Sequence, residues 1–239
     1  MNLIIDIGNT FIKFALFQEQ TLLVKGKGDL SDLKSFLDNN TFENVIISSV
    51  VEGNEVKKMI DSYSVKKMIE LSNETKIPID NKYKTPQTLG DDRLANVIGA
   101  RSLFPKKNVL VIDAGTCIKF DAISSKAQYF GGAISPGLVM RFKALEYFTG
   151  KLPLVEPKNG IELIGDSSDN SILSGVVNGT VAEIEGVINQ YSQVYENLTV
   201  IFTGGDASFF DKELKSNIFV EQNLTLIGLN EILLYNTRA

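Results

Sequence analysis

The sequence predicts an α/β protein of two similar domains that face each other across a cleft. Residues 110–120, LVIDAGTCIKF, repeat the pattern of residues 3–14, LIIDIGNTFIKF, when one position is gapped. Each half opens with strand-like runs and continues with helical segments, which is typical of mixed sheets covered by helices. A chain of 239 residues is long enough for two such domains, which we place at 1–106 and 107–239, divided near the segment FPKKN.

The elements follow from local patterns along the chain. Short runs of β-branched and aromatic residues bounded by turn residues predict strands near 2–6, 11–17, 21–26, 44–49, 108–113, 116–123, 128–134 and 199–203. Apolar residues at helical spacing predict helices near 30–39, 54–63, 91–104, 169–196, 206–215 and 226–237, with one more after the turn SPG. The longest helix carries an apolar stripe that we assign to the core.

Composition excludes several classes of protein. A net charge of −5 and a pI near 5.0 argue against a general nucleic-acid surface, although not against a local phosphate pocket. No uninterrupted apolar run approaches the roughly 20 residues that span a bilayer, and the first residues read as a strand rather than a secretory signal. A single cysteine excludes an internal disulfide. We therefore expect a cytoplasmic protein without nucleic-acid or membrane partners.

The chain contains no histidine. Catalytic arrangements built on Ser-His-Asp or Cys-His are therefore impossible, and the common zinc ligand sets are absent. A general base would have to be a carboxylate, a lysine or a tyrosine.

An acid ends the first predicted strand of each half, Asp6 in one and Asp113 in the other. A carboxylate at the end of a buried strand is costly unless it is paired. The turn that follows, with Asn9 and Thr10 or with Thr116, offers N–H and side-chain donors to phosphate oxygens. A cation between carboxylate and phosphate would explain this placement. An ordinary hairpin capped by Asn9 is the alternative.

Two further segments have plain structural explanations. In GDDR (90–93), two acids at a helix start are stabilised by the helix dipole, and TGGD (203–206) could be a strand-to-helix turn. However, an enzyme without histidine still needs a group that accepts a proton, and Arg93 beside Asp92 offers a cation to an acidic substrate. Both interpretations remain open on these residues alone.

Five segments in order resemble the type III pantothenate kinases, members of the acetate and sugar kinase/Hsp70/actin superfamily. They are DIGNT (6–10), YKTPQTLGDDR (83–93), DAGT (113–116), GGAISPG (131–137) with KLP (151–153) after it, and TGGD (203–206). The resemblance implies a duplicated actin-like ATPase fold of two ribonuclease H-like α/β domains. It also implies ATP-dependent phosphorylation of pantothenate to 4'-phosphopantothenate, the first step of coenzyme A biosynthesis.

The resemblance also implies site residues, with Asp92 as the general base. ATP would contact Asp6, Ile7, Gly8, Asn9, Thr10, Phe11, Ile12, Lys13, Thr116, Gly204 and Gly205. Pantothenate would contact Tyr83, Gly90, Asp91, Asp92, Arg93 and Ser168. We expect Asp113 to hold a monovalent cation, K⁺ or NH₄⁺, and Asp6 to position Mg²⁺. A homodimer would complete the pantothenate pocket, and Gly175 and Gly179 on one side of the long helix would permit close helix approach.

Three positions depart from the family pattern. Ser168 stands where the family has threonine, and its hydroxyl keeps the expected hydrogen bond possible. Cys117 and Lys119 replace the usual small and hydroxyl residues after the second phosphate motif, which could alter nucleotide or cation affinity. Because a fold does not fix a substrate, a kinase of another small hydroxylated acid or sugar is one alternative. A nucleotide-sensing regulator without turnover is the other.

Overall fold

The computed structural model describes residues 1–8, 11–49 and 54–238, in two compact units. Unit 1 comprises Met1–Pro105, Ala127–Phe130 and Asn223–Ala239, and unit 2 comprises Lys106–Lys126 and Gly131–Gln222. The last helix of the chain thus lies in the first unit. The division into domains at 1–106 and 107–239 stays a prediction.

The elements alternate as the sequence predicts. The strands are β1 (Asn2–Ile7), β2 (Ile12–Gln18), β3 (Thr21–Gly28), β4 (Asn44–Ser49), β5 (Lys67–Glu70), β6 (Asp80–Asn81), β7 (Val109–Ala114), β8 (Cys117–Ile123), β9 (Gln128–Pro136), β10 (Thr199–Thr203) and β11 (Phe219–Val220). The helices are α1 (Leu30–Asp38), α2 (Asn54–Ile60), α3 (Asp91–Leu103), α4 (Leu138–Phe148), α5 (Ser168–Leu173), α6 (Gly179–Val194), α7 (Ala207–Phe210) and α8 (Leu224–Thr237), with a short 3₁₀ turn at Pro86–Thr88.

Unit 1 is built on a mixed sheet with the strand order β3-β2-β1-β4-β5. β1 pairs antiparallel with β2 and parallel with β4, and its apolar side chains are buried. Helices α3 and α8 pack closely because glycine lies at their contact: a Cβ atom on Gly228 would lie 1.8 Å from the carbonyl oxygen of Ala95. The amide of Asn2 donates to Asn230 at 3.0 Å in the interior, tying α8 to β1.

Unit 2 carries a second mixed sheet, in the order β11-β10-β7-β8-β9. β7 pairs antiparallel with β8 and parallel with β10, which repeats the arrangement of β1, β2 and β4. The short β6 pairs with Gln128 and Tyr129 at the start of β9, and these residues belong to unit 1. The repeated strand arrangement agrees with the duplication seen in the sequence, and the α/β fold class with two mixed sheets is confirmed.

The structure differs from the predicted elements in three respects. The short strands β5, β6 and β11 were not predicted, because two to four residues are too few to show an alternating pattern. α7 ends at Phe210, well before the predicted 215. The long helix contains a π-helical turn at Ser174–Asn178, where the Ser174 hydroxyl donates to the carbonyl of Leu163 at 2.6 Å. Such turns arise from tertiary contacts that a single sequence does not reveal.

The continuous helical stretch Ser168–Val194 is long and apolar enough to cross a membrane by length and composition alone. In the structure, however, 44% of its most apolar window is buried, and the core helices of water-soluble proteins pass the same test. Its inward side chains, among them Val177 and Ile184, join the core of unit 2 with β7 and β8.

Candidate active site

The two strand-end acids occupy equivalent places in their hairpins. Asp6 on β1 lies opposite Lys13 on β2, and Asp113 on β7 lies opposite Lys119 on β8. The two lysines differ in setting, because Lys13 is exposed whereas the ammonium of Lys119 lies 3.0 Å from Oδ2 of Asp113. The side chains of this second pair are only 20% and 16% exposed.

The first predicted phosphate turn follows β1. The N–H of Gly8 donates to the carbonyl of Phe11 at 3.1 Å, which closes the turn, while Asn9 and Thr10 lie outside the described residues. The ring of Phe11 is 48% exposed, with the ammonium of Lys27 4.1 Å from its centroid. Beside it opens a cavity of about 430 Å³ lined by Gly8, Phe11, Ile12, Gly28 and Asp29–Ser31. Ile7 and Ile12 are buried, so only their backbone groups are suited to contact a ligand.

The second phosphate turn, between β7 and β8, is a tightly packed part of unit 2. The N–H of Gly115 donates to the carbonyl of Cys117, and the carbonyl of Thr116 accepts from Gly137, both at 3.1 Å. A Cβ atom on Gly137 would lie 2.1 Å from the carbonyl oxygen of Gly115, so only glycine fits at the start of α4. Thr116 itself is exposed, which leaves its hydroxyl available to a ligand.

The turn after β10 lies against the end of β7, because Thr203 is the parallel partner of Asp113. Gly204 adopts a φ of +96°, and a Cβ atom there would lie 2.6 Å from Oδ1 of Asp113. The N–H of Asp206 donates to the carbonyl of Ala114 at 3.0 Å, and burial raises the pKa of the Asp206 carboxyl. The structure therefore brings Asp113, Gly204 and the exposed Gly205 together in unit 2.

The predicted acceptor segment surrounds the start of α3, where Gly90 is the N-cap residue. Oδ1 of Asp92 accepts from the N–H of Arg93 at 2.8 Å. The guanidinium of Arg93 is buried, 5.6 Å from the centroid of the Tyr83 ring, and Tyr83 stacks on Tyr129. Tyr129 was not predicted to lie beside this segment, because no local pattern indicates its contact with Tyr83, 46 positions earlier in the chain.

Two carboxylates of unit 1 act on a third, Asp91. Burial raises the pKa of Asp91 to about 6, and the neighbouring charges of Asp92 and Asp6 add to the effect. The side chain of Ser48, the parallel partner of Asp6, is also buried, and its hydroxyl has no hydrogen-bond partner among the described residues. The charge of Asp6 therefore acts on the acceptor segment at the start of α3.

Ser168 is the first residue of α5 and is exposed. The preceding residue, Ser167, caps this helix by accepting from the N–H of Asn170 at 3.2 Å. The hydroxyl of Ser168 is therefore not the cap of its helix. Within residues 1–8, 11–49 and 54–238, no three Cys, Asp or Glu side chains form a group that could hold a metal ion.

Comparisons with known proteins identify the family of this chain. The family model of type III pantothenate kinases matches residues 2–190. The type III pantothenate kinase of Christiangramia forsetii is 47% identical over 251 residues, covering 99% of both chains. The corresponding protein of Phocaeicola vulgatus is 45% identical, covering 100% of both.

Two solved structures share the fold. A conserved Baf-family protein from Campylobacter jejuni has a TM-score of 0.66 at 20% identity, covering 99% of this chain and 100% of its own. A glucokinase from an Antarctic psychrotroph has a TM-score of 0.53 at 12% identity, covering 98% of both. These two structures show the shared fold alone. The family model and the full-length relatives show that the chain belongs to the type III pantothenate kinase family.

Proposed function

We propose that Asp92 is the general base with which this chain transfers a phosphoryl group from ATP to pantothenate. Its family makes the protein a phosphotransferase that phosphorylates pantothenate in coenzyme A biosynthesis. The observation that supports the role of Asp92 is its position in the first turn of α3, where the N–H of Arg93 holds one carboxylate oxygen. A carboxylate oriented in this way is suited to accept the proton of the attacking hydroxyl.

The same segment provides the groups that would orient pantothenate. Arg93 carries a fixed positive charge, and its packing against Tyr83 restricts its position. A substrate carboxylate near this guanidinium would form a charge-assisted hydrogen bond. Gly90 leaves room for the base, since a Cβ atom there would lie 2.7 Å from Oδ1 of Asp92. In this assignment the hydroxyl oxygen attacks the γ-phosphorus, its proton passes to Asp92, and ADP leaves.

We assign ATP to residues 6–13 of the first turn, to Thr116 of the second and to Gly204 and Gly205 after β10. The glycine turns at Gly8 and Gly115 support this assignment, because turns of this kind commonly bind phosphate oxygens through backbone N–H groups. Because glycine has no side chain, a phosphate can approach the backbone of these turns closely.

The residues around Asp6 fit a magnesium ion. Mg²⁺ is usually bound through one or two carboxylates together with substrate phosphates, and the charges of Asp92 and Asp6 both act on the partly buried Asp91. When bound, Mg²⁺ neutralises the charge that develops on the phosphates during transfer. Asp113 fits a free monovalent cation less well, because the ammonium of Lys119 already lies against its Oδ2.

The substitution Asp92→Asn tests the proposed base. Because a positioned base contributes about 10²–10⁴ in rate, we expect kcat to fall by that factor while the Kd for ATP stays unchanged. Rapid-quench single turnovers measure the chemical step, and titration with a fluorescent ATP analogue measures binding. Asp61→Asn, which changes an exposed aspartate of the same unit, is the control. A variant with near wild-type turnover would show that Asp92 is not the base.

We further propose a cytoplasmic homodimer whose interface completes the pantothenate pocket. Gly175 and Gly179 are exposed, and Cβ atoms built on them contact nothing within 4 Å among the described residues. These glycines are therefore free for close approach by a second helix rather than occupied by local packing. Ser168 precedes them on the same helical stretch.

Mixing inactive Ser168→Trp and Asp92→Asn chains under conditions of exchange tests the shared pocket. If each site takes Ser168 from one subunit and Asp92 from the other, half of the dimers are mixed and each keeps one of two sites intact. Activity should then recover to about a quarter of wild type. No recovery despite verified exchange would place each pocket within one chain.

A further inference from the structure

The pair formed by Lys119 and Asp113 is the feature of unit 2 that the proposed function does not use. The ammonium of Lys119 lies 3.0 Å from Oδ2 of Asp113, and both side chains are about four-fifths buried. The other oxygen, Oδ1, faces Gly204, where a Cβ atom would lie only 2.6 Å away. The carboxylate is thus held between a positive charge on one side and a glycine turn on the other.

The duplicated hairpin of unit 1 provides an internal comparison. There, Lys13 occupies the position opposite Asp6 that Lys119 occupies opposite Asp113. Directly opposed side chains on antiparallel strands are close enough to interact. Lys13 is nevertheless exposed, whereas Lys119 is folded onto its acid. Strand register alone therefore does not account for the buried pair.

We propose that the ammonium of Lys119 takes the place of the monovalent cation at Asp113, so that this kinase needs no added K⁺ or NH₄⁺. The inference rests on the proposed function, in which ATP phosphates approach the turn after Asp113. A lysine ammonium is a compact single positive charge with N–H donors, the same chemistry as NH₄⁺. Because it is tethered to β8, it is present at a high effective concentration and does not depend on the salt in solution.

The alternative is an ion pair that only stabilises the hairpin. Exposed pairs of this kind contribute little to stability, but a partly buried pair that loses one partner leaves an uncompensated charge. Both explanations predict that loss of Lys119 harms the protein. Only cation replacement predicts that K⁺ or NH₄⁺ repairs the loss, so the response to these ions separates the two.

The first measurement is pantothenate-dependent ADP release at fixed Mg²⁺ and fixed ionic strength, with choline chloride replaced stepwise by KCl or NH₄Cl. Wild type should change by less than about twofold. Lys119→Met should lose about 10- to 150-fold in choline, the range for one hydrogen bond to a charged group, and regain most of it in K⁺ or NH₄⁺. Lys126→Met, which removes an exposed lysine from the loop between β8 and β9, should behave as wild type.

The second measurement is the melting temperature of each protein without substrates, in the same salts. K⁺ should raise the melting temperature of Lys119→Met by about 2–4 °C and leave that of wild type unchanged relative to choline. Strong activation of wild type by K⁺, or a Lys119→Met variant that K⁺ neither reactivates nor stabilises, would overturn the proposal. If Lys119→Met fails to fold, the wild-type salt response decides alone. If no salt supports turnover of pantothenate, the proposed function fails, while the melting temperatures still test the role of Lys119.

Discussion

Replacing Asp91 by asparagine should stabilise the protein at pH 8 and stabilise it only about a third as much at pH 4.5. In the folded protein, burial and the charges of Asp92 and Asp6 raise the pKa of Asp91 from 3.8 to about 6. The folded state therefore holds this proton up to about pH 6, whereas the unfolded chain releases it near 3.8. The contribution of Asp91 to stability is complete below pH 3.8 and is lost as the pH rises through 6.

The size of the effect follows from the pKa. A rise of this size corresponds to about 3 kcal/mol at pH 8 for a fully buried group. Because Asp91 is only partly buried, solvent screening reduces this to about 1–2 kcal/mol. For a chain of this length, 1 kcal/mol changes the melting temperature by about 2–4 °C. The Asp91→Asn variant should therefore melt about 2–8 °C above wild type at pH 8.

Thermal unfolding followed by circular dichroism at pH 4.5, 6 and 8 measures this difference, without nucleotide or metal. Asp61→Asn serves as control, because it removes one exposed carboxylate from the same unit and should show no such pH-dependent gain. A stabilisation that is the same at all three pH values, or a loss of stability at pH 8, would refute the reasoning about the crowded carboxylates.

Two glycine substitutions test the packing around the site. Gly228→Ala should lower the free energy of unfolding by about 3 kcal/mol, since its Cβ atom would lie 1.8 Å from the carbonyl oxygen of Ala95. Gly186→Ala, with open space around its Cβ atom, should not lower it. Equal free energies of unfolding for the two variants would contradict the close packing of α3 and α8. Gly204→Ala should cost about 1–3 kcal/mol because of its φ of +96° and its contact with Ala114. Chemical denaturation measures both, with Gly205→Ala, also in open space, as the stability control for the second; an unchanged Gly204→Ala would contradict the strained turn.

The ends of β1 and β7 were predicted well, because the hydrophobic pattern and the polar residues that follow it indicate the same boundary. At Asp6 and Asp113 a buried run stops at an acid and a glycine turn, and the structure places both acids at equivalent positions of two hairpins. The start of α3 was predicted near residue 91, where two acids are favoured at a helix N-terminus, and the helix begins at Asp91. The roles of these residues toward ATP and pantothenate stay predictions.

Features that depend on distant contacts were not predictable. In the π-helical turn at Ser174–Asn178, the hydroxyl of Ser174 donates to the carbonyl of Leu163, eleven positions away. The stacking of Tyr129 on Tyr83 joins segments that are distant in sequence. Lys119 could be identified as unusual, but its contact with Asp113 depends on a side-chain conformation that strand register does not determine. Periodicity reports which face of an element is buried, not which partner covers it.

The most direct test of the account is phosphoryl transfer from γ-labelled ATP, measured with pantothenate, with a sugar such as glucose, or with no acceptor. We predict labelled 4'-phosphopantothenate, identified by mass, in amounts equal to the ADP released, and almost no transfer in the other two reactions. The Asp92→Asn variant should reduce this product about 10²–10⁴-fold in rate. ADP release that is independent of pantothenate, or transfer to glucose at a similar rate, would contradict the account.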